Sequence, residues 1–421
     1  MMQPVSPSVL FLAWPFPPLN SPACVRTWNV AKELSRLGWN VSVVSPDPSL
    51  WRKPEDPGIV AAQLKALGVR PVYTRHRWKA LAAGHLRTGG TLVHRFLNGV
   101  ARRAVAGFQL DYGAGWRVPA LRAIEAEQPP FDVILATGGP FTSFRIAREL
   151  SERTGVPYVI DYRDPWTKNP HVHRADRKAN VARERSIAQG AAAVTAISPT
   201  LANMLRTSFD LPDRVHVLTN GYDPEELGSV VPAEFDDAAI VYTGDFYPPL
   251  RVIDPVFAAL RPLMNGAVPP WTFHYYGADT ERVRDAARRH GVEERVRMHG
   301  RVPRRVALEA VKGAAASVVI ASVGDGSLPQ EKAIMTSKIF ESFGLGTPSL
   351  VIAPDGSDVS EAVNRAGLAV HCRGNDIAGM TAQLRRFIHG ERIPAREIDA
   401  YAWPSIARRL DAILQTARSA R

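Results

Sequence analysis

Along most of the chain a short apolar run, often β-branched, leads into a Gly/Pro turn and then a segment with apolar positions three and four apart. A strand buried on both faces reads as a continuous apolar run, and a packed helix as a 3.6-residue stripe. The alternation therefore predicts parallel sheets with helical crossovers. In the first half it predicts strands at Ser8–Trp14, Asn40–Ser45, Asp132–Ala136, Tyr158–Asp161, Ala193–Ile197 and Val215–Leu218. In the second half it predicts them at Ala239–Tyr242, Thr272–Tyr276, Val296–His299, Ala316–Ala321, Ser349–Ile352 and Leu368–His371. Between them, Trp28, Ala31, Leu34 and Leu37 share one helix face, which Gly38 ends, and Ile253, Val256, Phe257, Leu260 and Leu263 form another stripe. The pattern is that of two doubly wound α/β domains. The turn-rich "LTNGYDPEEL" marks their boundary, the acidic, aperiodic Pro224–Asp237 the linker region, and "SIARRLDAILQTA" a closing amphipathic helix. The expected divisions are 1–221, 222–395 and 396–421.

Composition narrows the picture. At 421 residues the chain suits two or three domains. Two distant cysteines, Cys24 and Cys372, make neither a disulfide framework nor a Cys-rich metal site, which fits a reducing cytoplasm. The N-terminus lacks a basic leader and its apolar run is short and stopped by prolines, so it reads as a first strand rather than a signal peptide. No apolar run is long enough to span a bilayer. A net charge of +11 invites an anionic partner: a phosphorylated metabolite, nucleic acid or a membrane face. The basic residues are scattered except in residues 73–103, and no nucleic-acid-binding module is visible there. Leu92, Phe96, Val100 and Phe108 can share a helix face away from Arg95, Arg102 and Arg103. That is either an ordinary packed helix with a solvated charged face or a peripheral anchor on an anionic membrane.

Ligands of open α/β sheets bind beyond the carboxyl ends of the strands, so the strand-to-helix turns hold the candidates. In "WPFPPLNSPACVR", Ser21 before Pro22 reads as a helix N-cap, and Arg26 projects from the first turn. This is either a well-capped helix or an anion site. In "ILATGGPFTSF", a glycine pair including Gly139 allows close backbone approach to a ligand. In "VIDYRDPW", Asp161, Arg163 and Asp164 end a buried strand, as a loop-holding ion pair or as groups that orient a sugar or an acid. In "IVYTGDFYPPLR", Gly244 and Arg251 make a plausible diphosphate cradle, without a dinucleotide fingerprint. In "TSKIFESFGLGTPSLV", Ser337 is placed to cap a helix over Lys338–Gly344. Glu341 sits there among Ile339, Phe340 and Phe343, as an ion-pair partner of Lys338 or as a two-pronged acceptor for the vicinal hydroxyls of a ribose.

Four blocks in order resemble the GT-B retaining glycosyltransferases of glycosyltransferase family 4. They are "FPPLNSPACVRTWNVAKELSRLGWNVSVVS", "DVILATGGPFTSFRIARELSERTGVPYVIDYRDPW", "VHVLTNGYD" and "SKIFESFGLGTPSLV". The resemblance spans nearly the whole chain and is weakest between about residues 55 and 125. It implies two facing Rossmann-like domains. The N-terminal one would bind the acceptor, the C-terminal one the nucleotide sugar, and the last helix would cross back to the N-terminal domain. By the same resemblance Glu341 holds the ribose, Gly244 and Arg251 the diphosphate, and Val302 the base through its backbone. Ser337 and Lys338 would lie near phosphate or ribose, Ser21 and Arg26 would face the acceptor or the diphosphate, and Gly139 and Arg163 the acceptor. Arg251 and Lys338 would stabilise leaving-group charge, and Asp164 would orient acceptor or sugar.

The chain also departs from the family pattern. Ala333 stands where a first glutamate is usual, with Glu331 out of register; Asp245 follows Gly244; "TGGPFTS" has no histidine; and Asn20 and Ser21 replace loop glycines. The expected activity is metal-independent, cofactor-free retaining transfer from a nucleotide sugar to a hydroxyl of a glycan, lipid-linked saccharide or secondary metabolite. The setting would be a bacterial cytoplasm or its inner membrane face, in polysaccharide or natural-product biosynthesis. The competing readings are a nucleotide-sugar epimerase or phosphorylase on the same fold, a basic nucleic-acid-binding protein, and a catalytically inactive scaffold.

Overall fold

The structure, a computed structural model, describes residues 6–19, 21–50, 56–77, 111, 113–168, 178–266 and 268–419. Most of the basic region 73–103, including the Leu92–Phe108 helix expected there, lies outside the described residues. Packing divides the chain into two units, Met1–Thr219 with Ile406–Arg421, and Asn220–Ser405.

The first unit is a parallel sheet of β1 (Ser8–Leu12), β2 (Asn40–Pro46), β3 (Arg70–Thr74), β4 (Val133–Thr137), β5 (Tyr158–Tyr162), β6 (Ala193–Ala196) and β7 (Val215–Val217). Its order is β3-β2-β1-β4-β5-β6-β7, and the winding reverses between β1 and β4. Val9 pairs with Val41 on one side and Val133 on the other, and every residue of β1 is buried. This burial explains the unbroken apolar run that betrays the strand. β3 is the strand that periodicity missed. It carries Pro71, which lacks a ladder N–H and is tolerated because β3 lies at the sheet edge.

The second unit repeats the plan with β8 (Ala238–Thr243), β9 (Trp271–Tyr276), β10 (Val296–Met298), β11 (Ala316–Ile320), β12 (Ser349–Ile352) and β13 (Ala369–Cys372). The order is β10-β9-β8-β11-β12-β13, again all parallel, with the reversal between β8 and β11. Trp271, Phe273 and Tyr275 alternate into a core that also takes Phe257, Leu260, Ile320 and Leu350. The helix Ser337–Leu345 buries Ile339, Phe340 and Phe343, and both phenylalanine rings pack on Tyr401 at 5.2 and 5.7 Å between centroids. Each such burial contributes roughly 2–3 kcal/mol, enough to fix which face of this helix points away from the core.

Residues 396–405 pack with the second unit, while the closing helix Trp403–Ser419 belongs to the first unit from Ile406 onward. There the Trp39 indole donates to Asp411 Oδ1 at 2.8 Å. No helix among the described residues is long and apolar enough to cross a membrane.

Candidate functional site

In the second unit the site begins at the switch point. β8 ends at Thr243, and Gly244 follows with φ +108°, a conformation that a side chain rarely adopts. A Cβ at Gly244 would lie 2.6 Å from Lys338 Nζ. The missing side chain is therefore the space that the lysine head group occupies. Gly244 N–H donates to Tyr276 O at 2.7 Å, which locks the turn against β9. The loop then folds back on itself: Tyr247 and Arg251 exchange backbone hydrogen bonds of 3.0 Å, and the Arg251 guanidinium lies 5.2 Å over the Tyr247 ring. Val323 N–H donates to Leu250 O at 2.8 Å, tying this loop to the end of β11 across the switch point.

The charges here are not balanced. Arg251 Nε is buried with no hydrogen-bond partner among the described residues. Lys338 Nζ makes no hydrogen bond or ion pair with a described residue. Burial pulls the Lys338 pKa below the usual lysine value; Glu341 opposes that, Arg251 reinforces it, and Asp245 opposes it. Asp245 is itself engaged, accepting from Ala278 N–H at 3.0 Å and pairing with Arg301 at 2.7 Å. Ser337 is not the cap expected of it. It is the first helical residue, and Thr336 at the cap position makes no side-chain capping bond. The helix end beside Lys338 thus keeps its positive potential.

Glu341 does not pair with Lys338, three residues before it. Its Oε1 accepts from Arg304 Nη1 at 2.5 Å, and Arg304 in turn grips Glu226 through Nε and Nη2 at 2.9 and 3.2 Å. Val302 is half-buried two residues before Arg304. Arg304 and Glu226 were not flagged by sequence, because they stand 37 and 115 positions from Glu341 in loops and helix starts with no motif of their own. Glu331 does not stand in for the missing first glutamate. Its carboxylate is buried, accepts from Gly326 N–H at 3.1 Å and fills the space beside Gly324.

The first unit treats its strand-end charges differently. Arg26 does not project as an acceptor contact. It is buried, donates to both oxygens of Asp161 at 3.0 and 2.6 Å, and also to the carbonyls of Thr219 and Leu218 at 2.8 and 3.0 Å. Thr137 and Thr195 donate to the same carboxylate. Burial alone would raise the Asp161 pKa; Arg26 and the two threonines outweigh it and hold the pKa below the ordinary value. A guanidinium buried at the end of β5 must satisfy its donors locally, which leaves none for an acceptor. Ser21 is not the N-cap either. The helix starts at Cys24 with Ala23 at the cap, and Ser21 closes the preceding turn, its carbonyl accepting from Cys24 N–H at 2.9 Å.

Arg163 braces the glycine turn, donating to Gly138 O at 2.8 and 2.6 Å and to Gly139 O at 2.8 Å, and reaches Ala23 O at 3.3 Å. Asp164 is exposed. The N-terminus of the helix Thr142–Thr154 is filled by Asp111, a residue that sequence reasoning missed, which accepts from both the Thr142 N–H and its hydroxyl. Structure thus gathers Gly244, Arg251, Ser337, Lys338 and Glu341 on one unit, and Gly139, Arg163 and Asp164 on the other.

Residues 23–221 match the family described as glycosyl transferase 4-like domain. No curated protein matches the sequence. Among solved structures, sucrose-phosphate synthase of Thermosynechococcus elongatus is similar over 99% of this chain and 100% of its own, at 13% identity and a TM-score of 0.66. HepE of Anabaena, solved with UDP and glucose, is similar over 98% of both chains at 13% identity and a TM-score of 0.53. A protein assigned as a UDP-N-acetylglucosamine 2-epimerase from Listeria monocytogenes matches over 99% and 98%, at 14% identity and a TM-score of 0.55. Residues 23–221 thus carry the likeness to a glycosyl transferase 4-like domain, and the two doubly wound sheets give the chain the GT-B fold of these structures.

Proposed function

We propose that the protein transfers a sugar from a nucleoside-diphosphate sugar to a hydroxyl acceptor with retention of configuration, and needs no metal to do so. The observation that carries this reading is the unbalanced pair of cations at the second unit's switch point. Lys338 lies in the space left by Gly244, and Arg251 sits beside it with a buried Nε that has no hydrogen-bond partner among the described residues. Holding two like charges together costs stability, and a diphosphate would repay it. HepE, of the same fold, holds UDP and glucose.

In this reading Glu341 accepts hydrogen bonds from the ribose hydroxyls, and the backbone at Val302 meets the base. As the glycosidic bond breaks, its electron pair passes to the β-phosphate oxygen. Lys338, Arg251 and the N–H groups at Ser337 stabilise the charge that develops there. The acceptor oxygen attacks the face from which the diphosphate departs, and its proton goes to that phosphate oxygen. No protein nucleophile is required. Gly139, Arg163, Asp164 and Ser21 are the proposed acceptor side, with Asp164 as the orienting group; Arg26 has no part in it. Acceptors to be tried are glycans, lipid-linked saccharides and secondary metabolites, the lipid-linked ones presented on vesicles.

Ligands that bind only the native state raise its melting point by mass action, so a thermal-shift screen with UDP, GDP, ADP, CDP and dTDP tests the donor site. One nucleotide should stand out, and its shift should vanish in Glu341→Ala. Transfer should then survive EDTA. An epimerase would instead interconvert the donor sugar with no acceptor present, and that outcome would displace the transferase reading.

A further inference from the structure

We propose that Arg304 is the positioning residue of this site: it fixes the orientation of the Glu341 carboxylate and thereby sets how strongly the protein demands a ribose 2′,3′-diol. The inference rests on the donor reading above. Arg304 opens the helix Arg304–Gly313, and its guanidinium reaches two carboxylates on different elements. Nε and Nη2 engage the two oxygens of Glu226 at 2.9 and 3.2 Å, a two-point grip that fixes the plane of the fork. Nη1 then meets only Oε1 of Glu341, at 2.5 Å. Oε2 accepts no hydrogen bond from a described residue.

A carboxylate offers about four acceptor directions, so one arginine contact leaves ample capacity for two hydroxyls while removing the side chain's freedom to turn. Glu226 is itself placed: it belongs to the short helix Pro224–Gly228, whose first N–H groups Asp223 caps and whose Leu227 carbonyl accepts from Lys312 Nζ. Stability is a poor explanation for the chain. Arg304 and Glu226 side chains are each 40% exposed, and ion pairs that open to water contribute little. Glu341 is the enclosed member, at 19%. The two glutamates and burial act in opposite directions on Arg304, and the glutamates win, raising its pKa. It is a permanent cation that no ligand will deprotonate.

Calorimetric titration separates this role from a structural one. The probes are UDP, GDP and ADP, and then the 2′,3′-dideoxy form of whichever binds the wild type most tightly. In the wild type the dideoxy form should bind more weakly. Arg304→Met should weaken the ribonucleotide by ~tenfold, the worth of a hydrogen bond to a charged group, and leave the dideoxy form unchanged. Arg304→Lys should recover part of the preference, and Glu226→Gln should fall between. A preference for the ribonucleotide that is unaltered in Arg304→Met overturns the proposal. If that variant does not fold, an unaltered preference in Glu226→Gln overturns it. If the wild type binds none of the three nucleotides, the donor reading has failed and this proposal falls with it. If the wild type binds one but ignores the diol, the donor reading stands and only this proposal falls.

Discussion

Both units end buried strands in charge, and they resolve it in opposite ways. In the first, Arg26 and Asp161 close on each other, and two threonines and two carbonyls take up the remaining valences. In the second, Arg251 and Lys338 stand together, and the nearest carboxylates are diverted: Asp245 to Arg301, Glu341 to Arg304. A closed network lowers the energy of the fold; an open one raises it and waits for an anion. Charge at a strand end therefore identifies a site only once its partners are known.

The comparison is broken most severely by opening the closed network. Removing one partner of a buried pair leaves an uncompensated charge and costs about 3–5 kcal/mol. Arg26→Ala and Asp161→Ala should each lower the melting temperature sharply, with or without nucleotide. A mild loss in either would mean that the first unit's charges are as open as the second's. The acid limb gives the same test without mutation. Because the folded Asp161 pKa lies below its ordinary value, the unfolded chain takes up the proton first. Its stabilisation is complete above the unfolded pKa and fades as pH falls through the folded one. Asp161→Asn should flatten that limb.

Next in size is loss of the open network's charge. Arg251→Ala should cut turnover by roughly a hundredfold, the cost of one donor aimed at developing charge. The same variant should melt close to the wild type, since among the described residues Arg251 Nε has no hydrogen-bond partner to lose and only the stacking on the Tyr247 ring goes. A drop in melting temperature with unchanged turnover would assign Arg251 to the fold.

These contrasts show what the sequence makes legible. Mostly apolar runs placed twelve strands within two residues at either end, because strands buried on both faces admit few polar side chains. β3 escaped because its exposed edge admits Arg70 and Pro71. Gly244 and Arg251 were legible together because a glycine turn followed by an arginine at a strand end suits an anion; Lys338 joined them only through the family resemblance. The jobs of Arg26, Ser21 and Glu341 were not. Those of Arg26 and Glu341 depend on partners far along the chain, Asp161 135 residues from Arg26 and Arg304 37 from Glu341, while Ser21 falls in a turn that ends two residues later, at the Ala23 cap. Motif spacing reports only neighbours within a turn or two. It therefore proposed Lys338 for Glu341, where a tertiary contact with Arg304 had already chosen otherwise.

The smallest effect is the most discriminating between the two units. Lys338 has a folded pKa below its ordinary 10.5, lowered first by burial. Between the folded and the unfolded value, the unfolded chain holds more protons than the folded one, so stability rises with pH across that window. This is the signature of a charge that the fold tolerates rather than uses. Lys338→Met should remove the alkaline rise and leave the Asp161-dependent acid limb untouched. A saturating nucleoside diphosphate should act on the wild type in the same direction. Its negative charge favours the ammonium, raises the Lys338 pKa and shrinks the window. Hydrogen-ion uptake on binding, measured by titrating the nucleotide in buffers of different ionisation enthalpy near the folded pKa, would report that change directly. Uptake in the wild type that disappears in Lys338→Met places the diphosphate at the open network. Equal uptake in both places it elsewhere, and Lys338 would then join Arg26 as a residue whose charge belongs to the fold.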